Sequence, residues 1–117
     1  MKYLSGIFAC LVFILSFFYV KPVFASSSGP RLFKEYYCID CHVIDGHGGT
    51  VGPNLSSVGK KRSLSWIKNQ ILHPGSHYIL GTPASAGGKT FLVIMPDFKD
   101  MPEYQLNALA RYLSSLK

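Results

Sequence analysis

Apolar residues recur at helical spacing in three stretches of the chain, separated by two long stretches without such a period. In the first, Phe33, Tyr36 and Tyr37 form an apolar stripe, and Pro30 suits the first turn of a helix. This pattern predicts a helix from Arg31 to His42.

The second and third stretches predict helices with recognisable ends. Ser63 is a suitable N-cap for a helix that runs to about His73, where a Pro-Gly pair follows. Asp100, with Glu103 three residues later, resembles a capping box and begins a last helix that ends near Lys117. The apolar faces of these two helices are Leu64, Ile67 and Ile71 in one, and Leu106, Leu109, Ala110, Leu113 and Leu116 in the other.

The two intervening stretches are predicted to be irregular. Residues 43–59 are rich in glycine, and residues 75–89 combine glycine with proline and serine. A loop as long as the second is uncommon in a compact domain unless it covers a ligand or is mobile. The apolar run FLVIMPDF, residues 91–98, could form a short strand, but we interpret it as extended chain along a buried ligand. Three main helices and long loops therefore suggest that another group fills the centre.

The first 25 residues resemble an export signal. A positively charged start precedes a run of 17 residues without a charge, from Leu4 to Val20. Small residues around Ala25 suit cleavage after it, which leaves a domain of residues 26–117. The same run is just long enough to span a membrane, so it could instead remain as an anchor. In both cases we expect the domain to lie outside the cytoplasm, in the periplasm or an equivalent compartment.

The charge of the chain is moderately basic. The 117 residues carry a formal net charge of +6. Without Lys2 and Lys21, ten basic residues remain against six acidic ones, a net charge of +4. Because there is no arginine-rich run, this charge does not indicate a nucleic-acid partner. It favours acidic protein partners.

Cys38, Cys41 and His42, in the segment Cys-Ile-Asp-Cys-His, carry the candidate chemistry. On a helix they project towards one side, because they are spaced by three and four residues. Zinc would need further ligands at spacings that the other histidines lack, and a thioredoxin-like dithiol would need a βαβ pattern. Cys-x-x-Cys-His is instead the signature of haem c attachment, which takes place outside the cytoplasm. A simple disulfide is the remaining alternative.

From Gly29 to Leu116 the sequence resembles the class I cytochrome c family. The matching segments are GPRLF, CIDCH, GPNL, SWIKNQILHP, MPDF and LNALARYLSSL, and they occur in the family's order. The haem motif is highly specific, whereas each of the other segments is weak alone. The resemblance implies one haem c, covalently attached through Cys38 and Cys41.

The resemblance also implies an all-α class I cytochrome c fold, wrapped around the haem, in which the first and last helices cross. In that fold Gly29 and Phe33 meet the last helix near Leu109 and Tyr112. Pro30 directly after Gly29 departs from the family pattern, so the start of the first helix is expected to differ.

The haem iron needs two axial ligands, and we expect His42 to be the first. Met95 precedes Pro96 in an apolar run and matches the family's Met-Pro, whereas His77 lies in a loop that could fold over the haem. We expect Met95 to be the second ligand and keep His77 as the alternative. A thioether favours ferrous iron and raises the reduction potential relative to a second imidazole. Ordinary roles are expected for Met101 (cap or core contact), His47 (solvated) and His73 (a backbone hydrogen bond).

Two further residues are expected at the haem. A ligating imidazole normally donates its other N–H to a fixed acceptor, and the resemblance implies that the carbonyl of Pro53 accepts it from His42. Trp66 either packs in the core or lies beside a haem propionate. The basic turn of residues 60–62 is expected to be solvated, or to guide docking if it borders the haem edge.

With both axial positions filled, the sequence predicts an electron-transfer protein and not an enzyme. It would carry single electrons between a redox donor and an acceptor with acidic docking surfaces. One alternative is a gas sensor or peroxidase-like protein with a labile sixth ligand. Another is a cytochrome subunit of an oxidase or dehydrogenase, tethered to the membrane by residues 4–20.

Overall fold

The computed structural model describes residues 28–117. The predicted export segment, residues 1–25, lies outside them. No helix within residues 28–117 is long and apolar enough to cross a membrane. The described elements are, in chain order, α1 (Ser28–Glu35), α2 (Cys38–Cys41), β1 (Val43–Ile44), β2 (His47–Gly48), α3 (Val58–Lys61), α4 (Leu64–Leu72), a 3-10 turn (Pro74–Ser76), β3 (Pro83–Ala86), β4 (Lys89–Leu92) and α5 (Glu103–Ser115).

Helices α1 and α5 pack closely, and Gly29 makes this possible. A Cβ atom placed on Gly29 would lie 2.2 Å from the Cβ of Tyr112, so no larger residue fits without separating the two backbones. The ring of Phe33 meets that of Tyr112 edge-to-face, with centroids 6.5 Å apart. Leu109 is 1% exposed. The expected contacts of Gly29 and Phe33 with the last helix are therefore present.

One hydrophobic core joins α1, α4 and α5. Its buried members face each other from these helices, with a contribution from β1 and from the segment before α5. This burial is the main stabilising contribution within the protein itself. The buried side chains are Leu32, Phe33, Ile44, Ile67, Ile71, Met101, Leu106, Leu109, Ala110 and Leu113.

The first predicted helix is interrupted before the cysteines. Helix α1 ends at Glu35, and Tyr37 adopts a left-handed conformation with φ of 57°. Because a left-handed residue cannot continue a right-handed helix, the chain turns and begins again as the single turn α2. The prediction of one helix from Arg31 to His42 was therefore wrong at this break.

The other two predicted helices are present, with one difference. The hydroxyl of Ser63 accepts a hydrogen bond from the N–H of Trp66 at 3.2 Å, so Ser63 caps α4 as expected. Helix α5 begins at Glu103 after Pro102, and no side chain caps its first turn. The capping box predicted at Asp100 is therefore wrong.

Parts of both predicted loops are regular. Strands β1 and β2 form one antiparallel hairpin, and β3 and β4 form another, with Pro83 opposite Leu92. Each hairpin turns through two residues with positive φ, Asp45-Gly46 and Gly87-Gly88. Such pairs match the right-handed twist of the flanking strands. The interpretation of residues 75–89 as loop was wrong where β3 and the first residue of β4 lie, and the interpretation of residues 91 and 92 as non-strand was wrong. Within residues 43–59, β1, β2 and the start of the short helix α3 were not predicted.

Candidate haem site

The Cys-x-x-Cys-His segment forms one helical turn. The N–H of His42 donates to the carbonyl of Cys38 at 2.9 Å, which closes the turn and brings the three side chains to one region. Both thiols are free and half-buried. After this turn, His42 is extended, with φ of −116°.

The glycine-rich segment that follows wraps around this turn. The N–H of Gly52 donates to the carbonyl of Cys41 at 2.7 Å. A Cβ atom on Gly52 would lie only 2.6 Å from Cε1 of His42. A glycine at this position therefore allows the backbone to lie directly against the imidazole ring.

The imidazole of His42 is held in one tautomer. Its Nδ1 lies 2.8 Å from the carbonyl oxygen of Pro53, which can only accept, so Nδ1 carries the proton. The contact expected between these two residues is present. Burial lowers the pKa of His42, although the bond to Pro53 acts in the opposite direction. The neutral ring leaves an unshared electron pair on Nε2, and the hydrogen bond of this ring to the described residues is made by Nδ1. Because no buried side-chain nitrogen or oxygen among the described residues lacks a partner, Nε2 is accessible.

The thiol of Cys38 is kept in its neutral form. Burial raises its pKa from 9.0 to about 11, a backbone hydrogen bond opposes this rise, and the charge of Cys41 adds to it. Thiolates are the form of cysteine that binds metal ions directly. Within residues 28–117, no group of three or more His, Cys, Asp or Glu side chains could hold a metal ion.

Met95 lies in the irregular segment after β4. Its side chain is half-buried, and its Sδ accepts a hydrogen bond from Nε2 of Gln70 at 3.6 Å. The neighbouring apolar side chains of Leu92 and Ile94 are each 54% exposed. The protein alone therefore does not bury the apolar run that precedes Met95.

His77, the alternative ligand, is held by polar side chains of α4. Its Nδ1 lies 2.8 Å from Oε1 of Gln70, and its Nε2 lies 3.3 Å from Nδ2 of Asn69. The imidazole also stacks on Trp66, with ring centroids 4.5 Å apart and planes 8° from parallel. Both ring nitrogens of His77 are thus already hydrogen-bonded.

Trp66 has one of the two roles considered for it, packing against the core, and its place beside a haem propionate stays a prediction. The guanidinium carbon of Arg62 lies 4.4 Å from the ring centroid of Trp66.

Of the residues given ordinary roles, Met101 is buried in the core, and His47 is exposed beside the carbonyl of Asp45. The imidazole of His73 is exposed, and only its main chain takes part in hydrogen bonds among the described residues.

The site residues thus form two groups. The first consists of Cys38, Cys41, His42 and Pro53. In the second, Gln70 joins Met95 to His77, which stacks on Trp66. The sequence pattern did not identify Asn69 or Gln70 as members of the second group. The available signal was their spacing, because they lie three and four residues after Trp66 and share its face of α4.

A family model described as cytochrome c matches residues 26–117. The chain belongs to the cytochrome c family. Membership implies a covalently bound haem c and a role in electron transfer with redox partners. It also implies the all-α class I fold, to which this cytochrome adds two short hairpins.

This cytochrome is also similar to part of a larger protein. It is 28% identical over 92 residues to cytochrome c oxidase subunit 2 of Alkalihalophilus pseudofirmus. The alignment covers 79% of this cytochrome but only 26% of that protein, so the chain spans about a quarter of its relative's length. No solved structure matches.

The residues of this cytochrome suit haem c. Two free thiols lie within one helical turn, as attachment to two substituents of one macrocycle requires. The adjacent imidazole is neutral and has Nε2 free to bind iron. The thioether of Met95 is a soft ligand of the kind found in cytochromes c.

Proposed function

We propose that this protein is an extracytoplasmic monohaem cytochrome c that carries single electrons between redox partners. His42 and Met95 are its axial ligands, and Cys38 and Cys41 are its attachment points. The hydrogen bond from Nδ1 of His42 to Pro53 supports this most, because it leaves Nε2 as the ligating atom. When bound, the haem supplies the one-electron chemistry.

Met95 is the better of the two candidates for the second ligand. Its sulfur has one weak hydrogen bond, at 3.6 Å, and can still bind a soft metal. His77 would have to give up its contact with Asn69 or with Gln70 before either nitrogen could reach iron. The hydrogen bonds of His77 therefore favour a supporting role for it.

Exposed apolar side chains are close in sequence to both proposed ligands. Val51, which precedes Gly52, is 50% exposed. Leu92 and Ile94, which precede Met95, are each 54% exposed. Covering such side chains with an apolar macrocycle would contribute roughly 25 cal/mol for each Å² removed from water. The macrocycle would at the same time exclude water from the iron.

A membrane-tethered cytochrome subunit is the second candidate function. The similarity to an oxidase subunit favours it, because that protein contains a segment like this one within a longer chain. Mass spectrometry of the exported protein distinguishes the two. A haem-bearing chain of residues 26–117 supports a free carrier, and an intact chain of 117 residues with haem supports the tether.

Visible spectroscopy of the exported, haem-loaded protein tests the proposed ligands. We expect a c-type reduced spectrum, a ferric charge-transfer band characteristic of methionine ligation, and no shift on addition of carbon monoxide. Met95→Ala should abolish the band and open the sixth position to carbon monoxide. Met101→Ala is a matched control, since Met101 is buried in the core and also precedes a proline.

Each other outcome has a defined meaning. If Met95→Ala leaves the band unchanged, Met95 is not the ligand and Met101 is the remaining methionine of the domain. If the unmutated protein lacks the band and His77→Ala opens the sixth position, His77 is the ligand. A carbon monoxide shift in the unmutated protein would contradict the closed electron carrier and favour a gas sensor or peroxidase-like protein.

A further inference from the structure

A connected set of polar side chains extends from Met95 to the end of α4. We call it the Gln70 network, and its members are Gln70, His77, Asn69 and Ser76. It links α4, the 3-10 turn and the segment after β4, and it surrounds the alternative ligand. Neither the family match nor the role of the ligands requires it.

The direction of every hydrogen bond in the network follows from its far end. The hydroxyl of Ser76 lies 2.7 Å from the main-chain carbonyl of His73, which can only accept, so Ser76 donates. Its oxygen then accepts from Nδ2 of Asn69 at 2.8 Å. The amide of Asn69 is thereby oriented with its nitrogen towards the network.

The same direction continues through the imidazole. The second N–H of Asn69 faces Nε2 of His77 at 3.3 Å, so Nε2 accepts and the proton of the neutral ring lies on Nδ1. Nδ1–H donates to Oε1 of Gln70 at 2.8 Å. This bond leaves the NH2 group of Gln70 directed at Sδ of Met95, 3.6 Å away.

We infer that Gln70 and His77 are positioning residues for Met95: the network turns the Gln70 amide so that an N–H, and not the oxygen, faces the sulfur. Without His77, the amide could rotate and place its oxygen against the sulfur, and the two electron-rich atoms would repel. Stacking on Trp66 holds the imidazole in place for this role.

The inference rests on the proposed ligation by Met95 and makes a prediction about the reduction potential. An N–H donor withdraws electron density from the thioether, so the sulfur stabilises ferric iron less and the potential rises. Removing the donor in Gln70→Leu should lower the potential. At a fixed solution potential we expect the ratio of oxidised to reduced protein to rise about two- to tenfold, and tenfold is 59 mV for a one-electron couple.

One variant of His77 and one of His73 separate positioning from packing. His77→Phe keeps a ring against Trp66 but removes both hydrogen bonds, so it should lower the potential in the same direction as Gln70→Leu. His73→Ala is the matched control. It removes an exposed imidazole and keeps the carbonyl that accepts from Ser76, so the potential should not change.

The unmutated, reduced holoprotein offers a test that needs no variant. Nitrogen-15 NMR of the histidine rings should show His77 as the neutral tautomer protonated on Nδ1. A ring protonated on Nε2 instead would overturn the inference, because Asn69 could not then donate to it.

The results also separate the inference from the proposed function. If Met95→Ala abolishes the methionine band but Gln70→Leu and His77→Phe match the potential of His73→Ala, the inference is wrong and the proposed function stands. If the unmutated protein lacks the methionine band and His77→Phe opens the sixth position, the proposed ligation has failed, and the inference fails with it.

Discussion

At the scale of single residues, the site depends on close approaches between main chain and side chain. The carbonyl of Pro53 fixes the tautomer of His42, and the absence of a side chain at Gly52 lets the backbone lie against the same ring. A Cβ atom on Gly52 would lie 2.6, 2.9 and 3.1 Å from three ring atoms of His42. One methyl group is therefore enough to displace the imidazole.

Gly52→Ala should destabilise the holoprotein. Overpacking of this kind typically costs about 1–3 kcal/mol, and the displaced ring should also weaken or lengthen its bond to Pro53. Denaturant unfolding of the haem-loaded protein measures the free energy. Gly75→Ala is the matched control, because the nearest atoms to an added Cβ there are 3.9 Å away or more, an ordinary contact. Equal stability of the two variants would contradict the close approach.

At the scale of elements, the two hairpins are the main addition to the predicted helices. The hairpin of β3 and β4 precedes Met95 directly, and none of its residues belongs to the hydrophobic core or packs against it. Its turn at Gly87-Gly88 uses φ values of 58° and 75°, which β-branched residues adopt only with strain. The hairpin is therefore separable in stability from the helices.

Gly88→Val should loosen this hairpin without unfolding the domain. Hydrogen exchange followed by mass spectrometry should show faster exchange over residues 83–92 and unchanged protection in α5, since the core does not include the hairpin. Gly88→Asn is the control, because asparagine tolerates positive φ and should keep exchange slow. Loss of protection in α5 with Gly88→Val would show that the hairpin supports the core.

The elements also show which parts of the fold the sequence could predict. Periodicity and Ser63 identified α4 and its start, because helix period and side-chain capping are local properties. The break at Tyr37, where φ is 57°, could not be predicted in this way, because tyrosine gives no local signal for positive φ. Asp45-Gly46 and Gly87-Gly88 were available as hairpin signals, but the glycine content of both stretches was interpreted as irregular loop.

The candidate site was predictable to a similar degree and for a similar reason. Cys38, Cys41 and His42 are adjacent in sequence, so spacing alone brings them together. The link from Met95 to His77 passes through Gln70 and joins residues that are up to 25 positions apart. Such a contact depends on tertiary packing, which a single sequence does not report.

At the scale of the whole molecule, charge is the property most relevant to partners. The predicted mature domain keeps a net charge of +4, and two exposed lysines, Lys60 and Lys61, end α3. The next residue, Arg62, lies over Trp66, which in turn stacks on His77. This basic turn therefore adjoins the side of the site that carries the proposed ligand Met95.

Reversing the two lysine charges should slow electron exchange with an acidic partner. Electrostatic attraction raises association rates by about ten- to a thousandfold, so we expect Lys60→Glu/Lys61→Glu to react at least about tenfold more slowly at low salt. The difference should fall as salt is added, because the Debye length shortens to about 8 Å at physiological ionic strength. Stopped-flow reduction by an acidic redox protein measures this rate.

Two controls assign the effect to this surface. Lys34→Glu/Lys89→Glu makes the same change of charge at exposed positions on α1 and at the turn of the β3–β4 hairpin. An uncharged small-molecule reductant should react equally with all variants, since it is not steered by charge. If both double variants slow the acidic partner equally, net charge alone governs encounter. A deficit confined to Lys60→Glu/Lys61→Glu would instead locate docking at the basic turn beside Trp66.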